Sequence, residues 1–186
     1  MNPIKVASKH LMKEKLAKRY PNAKIIDITS KGEEPFVKFS PFYPIGGVPI
    51  PFSEGILSES VEGLWQGLKV FETAEIDPSK FEVTTMKGLK RTVRRFGQCL
   101  GHQKGVNSKE LLGYIEARKL IYLPAYLWVL ENKLQTKLDE LRVLANASEL
   151  VLLDYETNGN VEERSKPLSH AWLVKHYLDE NWPVFE

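Results

Sequence analysis

The sequence contains very little cysteine, no long apolar run and no large excess of charge of either sign. Its 186 residues include a single cysteine, Cys99, which excludes an internal disulfide and a cysteine-rich zinc site. The longest apolar run, residues 120–130, is interrupted by Pro124 and is too short to span a bilayer. The formal net charge is +2, so nucleic-acid binding would have to depend on a local basic patch.

Several motifs that identify enzyme classes are also absent. There is no Gly-x-x-x-x-Gly-Lys-Ser/Thr phosphate-binding loop and no Gly-x-Ser-x-Gly nucleophile turn. No group of His, Cys, Asp and Glu has metal-ligand spacing, so we expect neither a metal nor a cofactor. The N-terminus is charged and lacks the apolar core of a signal peptide. These absences predict a soluble cytoplasmic protein without a membrane partner.

The composition is that of an ordinary globular protein. Hydrophobic residues make up 42% and charged residues 27% of the chain, and the length suits one domain. We therefore predict a single α+β domain over residues 1–186, mostly helical with a few short strands. Residues 1–22 are predicted to contain a basic amphipathic helix, over 6–20, and residues 23–186 the core.

Local patterns predict the remaining elements. We expect strands at 24–29, 36–39 and 150–153, and a flexible glycine-rich loop at 97–107. We expect helices at 58–71, from 84 or 85 to 96, and at 109–120, 124–145 and 170–180, the last capped by Ser169.

The helix predicted at 58–71 is amphipathic, with Ser58 or Ser60 as its cap. Its polar stripe contains Glu62, Gln66 and Lys69, and a loop rich in aromatic residues and prolines, residues 39–52, comes just before it. A carboxylate at the start of a buried helix beside such a loop is a plausible place for chemistry. The alternative is an ordinary surface helix with a solvated polar face.

Three other stretches carry residues suited to a nucleotide-like substrate. The aromatic side chains of 39–52 could stack on a base, or could equally cover the core. The predicted helix ending at residue 96 has a dense positive patch that suits phosphate, or is a solvated face: Lys87, Lys90, Arg91, Arg94 and Arg95. The strand predicted at 150–153 runs into a polar loop with Asp154 and Glu156. Carboxylates beside aromatics and cations suit cleavage of a glycosidic bond.

The stretch from Ser60 to Phe71, Ser-Val-Glu-Gly-Leu-Trp-Gln-Gly-Leu-Lys-Val-Phe, resembles the signature helix of the NADAR superfamily of YbiA-like N-glycosidases. Upstream, Phe-Ser-Pro-Phe-Tyr-Pro at 39–44 is similar to that family's Ser-Asn-Phe-Tyr-Pro loop. Downstream, Arg-Arg-Phe-Gly at 94–97 is similar to its Arg-x-Gly segment. The order and spacing of the three segments agree over residues 36–97.

The resemblance implies a small, mostly helical α+β fold and hydrolysis of an N-glycosidic bond. Its substrates would be ADP-ribosylated or phosphoribosyl nucleobases, including ADP-ribosylated nucleic acid. It implies Glu62 as the leading catalytic carboxylate. For such a hydrolase, Asp154 or Glu156 is the candidate for a second carboxylate. The substrate-binding residues would be Phe42, Tyr43, Gln66, Lys69, Arg94 and Arg95.

Two other functions remain open from the sequence. One is a module that binds ADP-ribose or another nucleotide without turnover. The other is a nucleic-acid or protein interaction module that uses the basic residues of 86–96.

Overall fold

The computed structural model of the protein describes residues 2–185, which form two compact units. The terminal unit contains the residues up to Ser40 and those from Leu134 onward, and the central unit is Pro41–Lys133. Both units contain helices and strands, which confirms the α+β class. The expectation of a single domain stays a prediction.

The elements follow one another in this order. The first half of the chain contains β1 (Ile4–Ser8), α1 (Lys13–Arg19), β2 (Lys24–Asp27), a 3₁₀ helix (Phe36–Phe39), β3 (Val48–Pro49), β4 (Leu57–Ser58), α2 (Val61–Gly67), β5 (Lys69–Phe71) and a 3₁₀ helix (Pro78–Lys80). The second half contains α3 (Val93–Phe96), β6 (Cys99–Gln103), β7 (Leu111–Leu112), α4 (Tyr114–Ala117), a π-helix (Arg118–Tyr122), α5 (Leu123–Lys133), α6 (Gln135–Ala147), β8 (Leu150–Asp154) and α7 (His170–Leu178).

The terminal unit is built on a parallel sheet with the strand order β1-β8-β2. Leu150 at the start of β8 is paired with Ile4 on one side and with Lys24 on the other. All five residues of β8 are buried, as expected for the central strand of a parallel sheet covered on both faces. The strands predicted at 24–29 and 150–153 are therefore confirmed.

Helices α1 and α7 pack on this sheet. Leu16 of α1 and the adjacent Tyr20 lie in a buried apolar cluster with Ala7, Val151 and Leu153. Helix α7 packs against β1 and β8, and the Oγ of Ser169 accepts a hydrogen bond from the backbone N–H of Trp172 at its start. The predicted Ser169 cap is confirmed.

The central unit combines an antiparallel sheet, β5-β6-β7, with the fully buried helix α2. Ser60 caps α2 by accepting from the N–H of Gly63, as predicted. A side chain at position 63 would begin 2.7 Å from the carbonyl oxygen of Lys80, so only glycine permits this close approach. Helix α2 ends at Gly67, earlier than predicted, because Lys69 already begins strand β5.

The predicted N-terminal basic helix is wrong in its first part. Residues Ile4–Ser8 form strand β1, and α1 covers only Lys13–Arg19. Residue 1 of the predicted 1–22 segment lies outside the described residues. The physical reason is long-range: β1 pairs along its whole length with β8, and this pairing outweighs the local helical spacing of the apolar residues.

Other predictions fail for similar reasons. Phe36–Phe39 is a 3₁₀ helix rather than a strand, with Val37 and Phe39 buried. The helix predicted up to residue 96 shrinks to Val93–Phe96, because the Arg91 before it bonds to distant groups instead of facing solvent. The loop predicted at 97–107 contains strand β6.

The helices predicted at 109–120 and 124–145 also differ from the structure. Residues Leu111–Leu112 form strand β7, and helical structure begins only at Tyr114. The long helix predicted at 124–145 is two helices, α5 and α6, because Leu134 leaves the helical conformation with φ −118° and ψ 10°. The boundary between the two units falls at this break. Among residues 2–185, no helix combines the length and apolarity needed to cross a bilayer.

Candidate active site

Glu62 lies in the first turn of α2, close to the loop that precedes the helix. Its backbone N–H donates to the carbonyl of Pro41 at 2.8 Å, which ties the loop that carries Phe42 to the start of the helix. The residue is only 8% exposed. Burial raises the pKa of the Glu62 carboxyl, and the hydrogen bond from Gln66 and the charges of Lys69 and Lys90 offset the shift only in part.

The Glu62 carboxylate has one hydrogen bond among the described residues. The Nε2 of Gln66 donates to its Oε1 at 2.7 Å. The Oε1 of Gln66 accepts from the backbone N–H of Arg91 at 3.0 Å, so the amide can be placed in only one orientation. The second oxygen of Glu62 receives no hydrogen bond from residues 2–185.

Arg91 forms the support of this arrangement. Its guanidinium donates to the carbonyls of Lys69 and Glu75, each at 2.6 Å. It lies 5.0 Å from the ring centroid of Phe71 and 5.1 Å from that of Phe96. These contacts bind the segment before α3 to the end of α2 and the start of β5, so Arg91 has a positioning role and its charge is not offered to a ligand.

Two ammonium groups act on Glu62. Lys69 is half-buried at the start of β5, and within the described chain its ammonium forms no hydrogen bond or ion pair. Burial lowers the pKa of Lys69, while the charge of Glu62 raises it in part. Lys90 is exposed, and its Nζ lies 5.6 Å from the ring centroid of Phe42. The central unit thus brings an aromatic ring and two cations to the neighbourhood of the carboxyl group.

His102 is a buried residue of the same neighbourhood that sequence reasoning missed. It is paired with Lys69 across β5 and β6, and its ring centroid lies 3.8 Å from that of Trp65. Neither ring nitrogen has a hydrogen-bond partner among residues 2–185. Burial and the nearby Lys69 lower the pKa of His102 to about 3, so the imidazole is neutral at physiological pH.

Most of the predicted site residues lie in the central unit, and they differ in their contacts with Glu62. Phe42, Glu62, Gln66 and Lys69 lie in the central unit and are joined by the contacts above. Tyr43 is half-buried in the same loop. Arg94 and Arg95 are exposed on α3, without a hydrogen bond or ion pair to Glu62. Lys90, from the same predicted basic patch, is a cation whose charge does act on Glu62.

Asp154 is in the terminal unit, at the end of β8. Its Oδ2 accepts from the Oγ of Ser169 at 2.7 Å and from the N–H of Ala171 at 3.2 Å, and it pairs with the Nδ1 of His170 at 3.0 Å. Its Oδ1 accepts from the N–H of Tyr155 at 2.7 Å. Burial alone would raise the pKa of Asp154, but these partners hold it below its ordinary value. Glu156 is exposed two residues later.

His170 is the charged partner of Asp154. Its Nε2 lies 2.9 Å from the carbonyl oxygen of Ile28, which can only accept, so this nitrogen carries a proton. Burial lowers the pKa of His170, but the Asp154 carboxylate and the Ile28 carbonyl raise it overall. Asp154 and His170 therefore form a buried ion pair that ties β8 and α7 to the segment after β2.

Comparison with known proteins places the chain in one family and gives no activity. Residues 8–174 match a family of unknown function (DUF6939), and the chain belongs to that family. No curated protein and no solved structure matches the chain. Within the described residues, no three His, Cys, Asp or Glu side chains are grouped so that they could hold a metal ion.

Proposed function

We propose that the protein is an N-glycosidase-type hydrolase acting on an ADP-ribosylated or phosphoribosyl nucleobase-like substrate. The observation that carries the proposal is the state of Glu62. Its carboxyl is buried, has a raised pKa and is held by one hydrogen bond from Gln66, and its second oxygen receives no hydrogen bond from residues 2–185. The resemblance of residues 36–97 to NADAR N-glycosidases supports the same assignment of Glu62.

Cleavage of an N-glycosidic bond needs a proton for the leaving base and stabilisation of positive charge on the sugar. A carboxyl with a raised pKa keeps its proton to higher pH than usual, so Glu62 donates that proton to the leaving nitrogen as the C–N bond breaks. The resulting carboxylate stabilises the oxocarbenium ion. Water then adds to the anomeric carbon and returns a proton to Glu62, which completes the cycle.

The neighbours of Glu62 supply the binding groups that such a substrate requires. Lys69 and Lys90 lie near enough to Glu62 to act on it electrostatically, and in the proposed site their ammonium groups would contact the phosphate of the substrate. Phe42, whose ring contacts Lys90, can stack on the base. Gln66 holds the carboxyl in place because its own amide is fixed by Arg91.

The test compares the wild type with Glu62→Gln on three substrates: an ADP-ribosylated guanine oligonucleotide, a phosphoribosyl pyrimidine and an unphosphorylated nucleoside. Released base is measured by chromatography with mass detection. We expect release from at least one phosphorylated substrate and a loss of at least about 100-fold in Glu62→Gln, the range for a missing general acid. The amide keeps the size of the side chain and its acceptor for Gln66.

Glu59→Gln is the matched control, because Glu59 is a nearby half-buried carboxylate of the same unit. It should retain the wild-type rate. Equal rates for wild type and Glu62→Gln would remove Glu62 from the mechanism. Saturable binding of ADP-ribose by calorimetry without base release from any substrate would replace the hydrolase with the alternative predicted from the sequence, a nucleotide-binding module.

A further inference from the structure

The terminal unit contains a cavity of about 1200 Å³ that the proposed glycosidase site does not use. Helix α1, strand β2, residues 31–36 and helix α6 all contribute to its walls. This volume exceeds the roughly 300–1000 Å³ typical of small-molecule sites, so it accommodates a ligand of substantial size.

The lining of the cavity is largely apolar. Leu16 of α1, Ile25 of β2 and Leu153 of β8 line it from the sheet side, where they belong to or pack against one apolar cluster. Leu144 and Val143 of α6 also line it, and Val143 is 67% exposed. Ile25, Leu144 and Val143 keep part of their apolar surface in water, and an apolar body placed here would cover it.

Most of the carboxylates that line the cavity form ion pairs, whereas most of the lining lysines do not. Three lining lysines, Lys13, Lys24 and Lys31, form no ion pair within the described chain. Four lining carboxylates already form ion pairs with a basic residue: Asp27 with Lys9, Glu34 with Lys38, Asp139 with Arg142 and Glu140 with Lys137. Among the lining acids, this leaves Glu33 alone without an ion-pair partner. The uncompensated charge around the cavity is therefore positive.

We propose that this cavity binds an amphipathic organic anion, with an apolar body against α1, β2 and α6 and a carboxylate or phosphate head among the unpaired lysines. Apolar lining supplies the affinity for the body, and the lysines select the sign of the head group. A neutral or cationic molecule with an apolar chain of the same length gains nothing from the lysines, so it should bind more weakly.

The experiment uses isothermal titration of the full chain with dodecanoate and dodecyl phosphate, below their micelle-forming concentrations. Dodecyltrimethylammonium, with the same apolar chain and the opposite charge, is the ligand control. We expect saturable binding of about one dodecanoate or dodecyl phosphate per chain and no saturable binding of the cation. Preference for one of the two anions identifies the head group as carboxylate or phosphate.

Two variants locate the site. Lys24→Glu/Lys31→Glu should weaken binding of the anions by about tenfold, whereas Lys15→Glu/Lys18→Glu makes the same charge change on exposed residues of α1 outside the lining and should not. Val143→Glu should also weaken binding. Its control is Val93→Glu, since Val93 is 64% exposed in the central unit.

The proposal is overturned if neither anion binds saturably, or if the cation binds equally well. It is also overturned if the Lys24→Glu/Lys31→Glu variant keeps the wild-type affinity. Sedimentation provides a last check: a wild-type dimer that Val143→Glu dissociates would assign the apolar lining to a second copy of the chain. None of these outcomes depends on base release, so they are separate from the test of Glu62.

Discussion

Glu62 and Asp154 are both buried carboxylates, one in the central unit and one in the terminal unit, with exposed fractions of 8% and 4%. Their pKa values nevertheless shift in opposite directions. Asp154 has four partners, including a charged histidine, and its pKa is lowered. Glu62 has one hydrogen bond, from a neutral amide, and its pKa is raised.

The difference shows that burial alone does not determine what a carboxylate does. A buried carboxylate whose lone pairs are all used holds structure together, and its loss leaves its partners without acceptors. A buried carboxylate with an open oxygen costs stability and is maintained only if the surrounding contacts enforce it. We therefore interpret Asp154 as a tie within its unit and Glu62 as the group available for chemistry.

The largest expected effect is the loss of stability caused by removing the Asp154 carboxylate. Asp154→Ala should lower the free energy of unfolding by about 3–5 kcal/mol, because it leaves the buried His170 without its counter-charge. Urea unfolding followed by circular dichroism measures the change. Glu156→Ala, an exposed carboxylate two residues away, should stay within about 0.5 kcal/mol of the wild type. Similar values for both variants would show that Asp154 is not a structural tie.

The next effect concerns the support of the Glu62 site. Arg91→Lys should destabilise by about 1–3 kcal/mol, because an ammonium cannot reach two carbonyls and pack between Phe71 and Phe96 at the same time. Thermal and urea unfolding measure the loss. Arg94→Lys is the control on the exposed surface of α3 and should change stability by less than about 0.5 kcal/mol. An equal loss of stability in the two variants would show that Arg91 does not support the site.

A smaller effect, with a defined pH dependence, is expected for Glu62→Gln. The pKa of Glu62 is raised in the folded state above its ordinary 4.5. The wild type therefore loses stability relative to the variant as pH rises from about 4.5 to the folded pKa. The two proteins should agree within about 0.5 kcal/mol at pH 4, and the variant should be the more stable one at pH 7. Urea unfolding at both pH values checks the sign, and a variant less stable at pH 7 would contradict it.

The Asp154–His170 pair should stabilise the protein most in an intermediate pH window. Asp154 has a lowered folded pKa, so its contribution is lost as pH falls through that value. His170 has a raised folded pKa, so its contribution is complete below about 6.5 and is lost as pH rises through the folded value. Asp154→Ala should therefore cost most between these limits, and unfolding curves across pH measure this window.

Elements with strong local signals could be predicted from the sequence. Strand β8 is a short apolar run, and the caps Ser60 and Ser169 precede helices in the expected way. The prediction failed where distant contacts decide the conformation. The residues of β1 follow a helical spacing, but β8 supplies a pairing partner from nearly 150 residues further along the chain.

The site was predictable only in part for the same reason. Glu62, Gln66 and Lys69 share one polar stripe of a predicted helix, so spacing alone placed them together. Arg91 looked like one more surface cation of a helix, yet its bonds to carbonyls 16 and 22 residues away bury it. Nothing in the sequence around His102 indicates that a strand pairing brings it to Lys69 and Trp65.

The most direct test of the contrast between the two carboxylates is one carbon-13 NMR titration of protein labelled at the Asp and Glu side-chain carboxyl carbons. Glu62→Gln and Asp154→Asn identify the two resonances by their disappearance. We expect the Glu62 carboxyl to titrate above the ordinary glutamate range and the Asp154 carboxyl below the ordinary aspartate range. A Glu62 carboxyl that titrates at or below the ordinary value would contradict it.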